Sequence, residues 1–257
     1  MGATSAPSLC NAVRLGSARW EERTEFPRGA GDNPVTCPPS QSVVNWLPQK
    51  LTVLYRLDCT APEVAARFGA AAGSDPWRGG HIGPGQFAPV LTAGREAMAG
   101  PGRAGQPLRM IPRLWGVPPP GMPVDARNGV LSVRNPDSPF WIGNLRNSEF
   151  RCLVPATAFM EWGHKDPQTG KRRAHWLGCT DQPLFAFAGV WKDSEVPSFA
   201  LLTCEPNALL REIGCFSMPV ILPAGQAQDI WPRGEWSRAK ALLAPYSSSL
   251  VCESAGH

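Results

Sequence analysis

Proline and glycine occupy 54 of the 257 positions (28 Pro, 26 Gly) and are spread along the whole chain. Proline removes a backbone donor and blocks helix continuation, and glycine weakens the interior of helices and strands. Long uninterrupted helices are therefore excluded, and with them coiled coils and helical solenoids; short extended segments joined by turns are what remain. The chain still has material for a core, since 43% of its residues are hydrophobic and ten are Trp. Only 18% are charged, which rules out a polyampholyte.

The formal net charge is +4, which permits a polyanionic partner without demanding one. No run of about eighteen apolar residues is present, so no membrane span or membrane partner is expected. The first residues lack a basic stretch followed by an apolar one, and Ala6 breaks the myristoylation pattern. A cytoplasmic monomer is the expectation, nucleoid-associated if the host is bacterial. Eight cysteines are scattered with no C-x-x-C pair and no His at ligand spacing, so the expectation is no metal, no other cofactor, and thiols packed as small apolar groups.

Residues 1–50 follow neither a period of two nor one of 3.6, and read as a disordered extension or one that precedes the natural start. From Leu51 the texture changes. Residues 51–57 are β-rich, and 61–68 form a short helix with Pro62 in its first turn. Strands are expected at 87–92, at 108–117 with an interruption at Pro112, and at 130–134, 150–155 and 156–162. Further strands are expected at 184–191, 198–203 and 218–222. The D-P-Q-T-G stretch within 165–173 marks a hairpin tip, and short helices fit 206–213 and 236–243. The expected class is α+β: one domain over 51–251 on a mixed, curved or barrel-like sheet with a few flanking short helices, followed by a tail at 252–257. No internal repeat is present.

One carboxylate stands out. Glu161 lies between Met160 and Trp162 in a segment that is otherwise apolar. A lone Glu most often points outward from an edge strand. If its neighbours desolvate it instead, its pKa rises into the range useful for proton transfer.

The same segment, R-C-L-V-P-A from Arg151 followed by E-W at 161–162, resembles a signature of the SRAP family, the SOS response-associated peptidases or abasic site processing proteins. Four further blocks occur in the family's order: G-P-G-Q from Gly83, R-L-W-G-V-P-P-P from Arg113, F-A-F-A-G-V-W from Phe185, and M-P-V-I-L from Met218. Together they span most of 51–251. The resemblance implies a protein of the DNA damage (SOS) response whose partner is single-stranded DNA carrying abasic sites. It also implies covalent DNA–protein crosslinking, a lyase-type chemistry, with a self-processing peptidase (hydrolase) activity. In that family the N-terminal cysteine's α-amine and thiol capture the abasic aldehyde, assisted by an Asn, a Glu and a His. Aligned on the motifs, those four positions are Thr52, Ser132, Glu161 and Gly214, so only the Glu is retained.

The resemblance also puts Arg134 and Trp115 on the DNA-facing side, with Arg113, Arg146 and Arg172 as phosphate contacts, joined by Lys171 and Arg173 at the hairpin. Trp115 reads equally well as a core residue, and the hairpin cations as a solvated tip. Two readings stay open: an abasic-site processing enzyme, or a catalytically inactive module that binds single-stranded nucleic acid.

Overall fold

The structure is a computed structural model and describes residues 54–71, 73, 75–94, 106–119, 129–247 and 250–253. The extension at 1–50 and position 52 lie outside the described residues. Two sheets make up the fold. The first has the order β14 (Leu250–Glu253), β9 (Arg172–Cys179), β8 (Ala158–Lys165), β1 (Leu54–Leu57) and β3 (Gly80–Ile82), and its pairs are antiparallel.

The second sheet contains β4 (Phe87–Thr92), β5 (Leu108–Trp115), β7 (Arg151–Ala156), β10 (Phe185–Lys192) and β11 (Ser198–Cys204). Antiparallel ladders join β5 to β4, β4 to β7, β7 to β10 and β10 to β11. A parallel pair, Ser198 with Leu114 and Phe199 with Trp115, joins β11 back to β5 and closes these five strands into a barrel. Short strands extend it: β2 (Ala70–Ala71) on β5, β6 (Ser132–Val133) and β12 (Met218–Pro219) on β11, and β13 (Ile221–Leu222) on β10. The α+β class with a mixed, closed sheet and few helices is as the sequence suggests.

Closure explains why some strands read as continuous apolar runs. β7 is buried along its whole length and β10 as far as Trp191. Outside the barrel, α4 (Gln226–Arg233) covers β7, with the Trp231 indole N–H near the carbonyls of Cys152 (3.0 Å) and Gly189 (3.1 Å). Gly189 is required by close approach, because a Cβ there would stand 2.6 Å from Val154 Cγ2 and 2.9 Å from Cys152 Sγ. The two sheets share an aromatic core in which Tyr55 of β1 meets Trp115 and Phe187 edge-on, with ring centroids 5.1 and 5.9 Å apart.

Several local expectations change. β5 runs through Pro112 without interruption, since Pro112 lies opposite Pro89 in the register and two residues without N–H groups face each other. The apolar run at 218–222 is two strands, β12 and β13, which pair with different neighbours on either side of Val220. β9 was implied only by the hairpin tip before it, and β14, α2 (Ile142–Arg146) and α4 were not anticipated; Pro232 inside α4 disguises a helix. α1 (Ala61–Phe68) starts as expected, with the Thr60 N–H donating to the Glu63 carboxylate at 2.6 Å. α3 (Ala208–Ile213) and α5 (Trp236–Lys240) fall within the expected helical stretches. β14 continues to Glu253, two residues past the expected domain edge.

Candidate functional site

β11 leaves the barrel between two short partners, β6 and β12, and α3 sits just before β12. Facing this corner is β8 of the other sheet, which carries Glu161. The space between is a cavity of about 330 Å³. Into its wall come Ser132 and Arg134 from around β6, Glu161 and Trp162 from β8, Arg172 from β9, and the segment Gly214–Ser217 that links α3 to β12. Three of the four positions singled out from the sequence, Ser132, Glu161 and Gly214, therefore line one cavity. The fourth, Thr52, lies outside the described residues.

Glu161 is half-buried and its pKa is raised to about 7, with burial as the cause. Near neutral pH the carboxyl thus divides between acid and carboxylate, the condition for both donating and accepting a proton. Opposite it in the β8–β9 register is His175, whose pKa is pushed down by burial and then by the Arg173 charge. Beside it is Cys215, a buried thiol that the sequence did not single out. Burial, then the Glu161 charge, push its pKa up to about 12, so it is a protonated thiol and not an activated nucleophile.

Gly214 ends α3 with φ +102°, and its N–H donates to the carbonyls of Leu210 (3.1 Å) and Arg211 (3.0 Å). A Cβ on Gly214 would lie 2.6 Å from the ring of His164. The imidazole of His164 therefore fills the space a side chain at 214 would enter. His164 itself lines a neighbouring groove of about 500 Å³ together with Lys165, Arg173, His175 and Cys252. No motif pointed to His164, Cys215 or the exposed Phe216; the one available signal was their spacing from the retained Glu161 and Met218–Pro219.

The expected DNA-facing cations separate into two groups. Arg134 is exposed and lines the cavity, as does Arg172, which also donates to the Gly163 carbonyl at 3.2 Å. Arg113, by contrast, is buried, with its guanidinium 4.8 Å from the centroid of the Trp191 ring, because its strand turns that face into protein. Trp115 lines the cavity but is 1% exposed, with its indole N–H donating to the Leu131 carbonyl at 3.1 Å, so of its two readings the packing matches the core residue. Arg146, in the last turn of α2, is exposed but does not border the cavity. Among the described residues, no three His, Cys, Asp or Glu side chains converge as a metal site would require, and no helix is long and apolar enough to cross a membrane.

Comparison with known proteins bears on the fold and the family. Solved structures of a protein from Bacteroides thetaiotaomicron (TM-score 0.59, 20% identity, 77% of this chain and 90% of that one) and of a protein from Bordetella bronchiseptica (0.57, 20%, 77% and 97%) share the fold. Abasic site processing protein YoqW of Bacillus subtilis is 31% identical over 107 residues, 39% of this chain and 44% of its own. Abasic site processing protein YoaM of the same organism is 33% identical over 107 residues, 39% and 43%. The chain thus matches under half the length of these curated relatives. The family model for the SOS response associated peptidase matches residues 55–255, nearly the whole described domain around the Glu161 cavity, and the chain belongs to the SOS response associated peptidase (SRAP) family.

Proposed function

We propose that this cavity receives single-stranded DNA at an abasic site, and that Glu161 positions the exposed sugar aldehyde and exchanges protons with it. The observation that carries the reading is a carboxyl with a pKa of about 7, walled by apolar side chains and flanked by Arg134 and Arg172. A carbonyl addition needs a proton delivered to the carbonyl oxygen and another taken from the attacking group, and a half-ionised carboxyl does both. The two guanidinium groups suit the phosphates on either side of the missing base. The family membership and the names of the relatives support the same substrate.

Covalent capture makes further demands. Imine formation needs a free amine, and within the uncut chain the nitrogen of Thr52 is an amide. Ser132 and Gly214, where the family pattern has Asn and His, bring less hydrogen-bonding and proton-transfer capacity to the cavity. These substitutions favour a second reading, in which the same surface holds the strand without forming a bond.

The deciding experiment incubates the full chain with an abasic oligonucleotide and resolves the products on a denaturing gel. A retarded band that Glu161→Gln slows, together with loss of the rate change centred near pH 7, is the outcome expected of the processing reading. Salt-dependent binding on a native gel without that band identifies the binding module. Salt-independent or absent binding refutes both.

A further inference from the structure

The cavity lip carries a feature that phosphate contacts and proton transfer do not use. Phe216 is 87% exposed, whereas Phe159, Phe185, Phe187 and Phe199 are each at most 1% exposed. Among the described residues only two other large apolar side chains are exposed, Phe87 and Val251, and neither borders this cavity. A lone apolar ring on a surface needs no explanation. This one, however, borders the same cavity as Glu161, Arg134 and Arg172.

The backbone on both sides of the ring is pinned. Before it, Gly214 and Cys215 both donate to the Leu210 carbonyl, at 3.1 and 2.8 Å, closing the end of α3. After it, Met218 pairs with Cys204 in the β12–β11 ladder. Cys215 and Met218 are turned inward and buried, which leaves Phe216 facing out. A ring presented from a fixed backbone loses little further freedom when a flat partner settles on it.

We infer that Phe216 is a nucleobase subsite, on which an unpaired base adjoining the abasic position stacks. The inference rests on the single-strand reading above and adds to it the part of the ligand that the phosphate contacts leave unread. Every base has a π face, so such a platform favours strands with bases without selecting their sequence. The occupant is a nucleic-acid strand and not a second copy of the chain, because the same lip carries Arg134 and Arg172, which complement a polyanion and would oppose their own copies across a two-fold contact.

The test uses the full chain and two fluorescent single strands of equal length: oligothymidylate, and a strand built wholly of tetrahydrofuran spacers that has phosphates but no bases. Phe216→Ala is expected to weaken binding to oligothymidylate by about 5- to 150-fold, the span of one lost base stack. Phe216→Trp is expected to keep it, and both variants to bind the spacer strand like the unmodified chain. Since the ring is exposed, thermal melts should coincide. Equal affinity of Phe216→Ala for oligothymidylate overturns the subsite while leaving the cavity reading intact, and so does an equal loss on both strands. A dimer that Phe216→Ala dissociates, with DNA binding unchanged, overturns it in favour of self-association. If the unmodified chain binds neither strand, both the subsite and the reading beneath it fall.

Discussion

Glu161 sits where its charged form is penalised, and that has a sign. Its folded pKa of about 7 lies above the unfolded value of about 4.3, so between these pH values the folded chain binds more protons. Stability attributable to this group is therefore present below about pH 4 and is lost as pH rises through 7. Glu161→Gln should be more stable than the unmodified chain at pH 8, by on the order of 1–3 kcal/mol, and nearly equal to it at pH 4, as read from denaturant midpoints at the two pH values. Gly214 makes an opposite case. Restoring the family's histidine there puts a Cβ at φ +102° and 2.6 Å from the His164 ring. Gly214→His should cost about 1–3 kcal/mol, and His164→Gly in the same chain should recover part of that. The two arginines first grouped together should also part company. Arg134→Ala should lower the slope of log affinity against log salt by about 0.7 with the fold unchanged, while Arg113→Ala should destabilise by about 2 kcal/mol and leave that slope alone. Sequence could not separate Arg113, inside β5, from Arg134, just past β6, because each stands directly beside an apolar residue (Leu114 and Val133) and only closure of the sheet decides which side chain is covered.

At the level of elements, what was legible depended on whether local chemistry carried the signal. The α1 start was visible because Pro62 fits a first helical turn, to which the structure adds the Thr60–Glu63 capping box, and the hairpin between β8 and β9 because Asp166 and Gly170 supply turn chemistry, with Asp166 accepting from the Gln168 N–H at 2.8 Å. α4 was not visible, since Pro232 breaks its pattern and its value to the fold comes from Trp231 reaching β7 and β10. The split of 218–222 into β12 and β13 was equally hidden, because a change of pairing partner leaves no trace in an apolar run. The glycine in the F-A-G-V-W strand tests this level directly. Gly189→Ala should cost about 1–3 kcal/mol through contact with Val154 and Cys152, seen as a lowered melting temperature with the DNA salt slope unchanged.

At the level of the whole molecule, the cavity exists because two sheets with different jobs meet at one corner. The barrel sets Ser132 and the Gly214–Ser217 segment, and the other sheet delivers Glu161 and Arg172. Motif order picked out Ser132, Glu161 and Gly214, which line one cavity, but it said nothing of His164 on β8 or of Cys215 and Phe216, which follow the end of α3. The parallel pair that closes the barrel joins Leu114 to Ser198, and between them the chain must lay down β7 and β10. During synthesis on the ribosome, then, the edge of β5 waits for a partner that has not yet been made. Nascent chains stalled before residue 198 should be captured by chaperones and digested by protease, and chains released beyond it should become resistant in a single step.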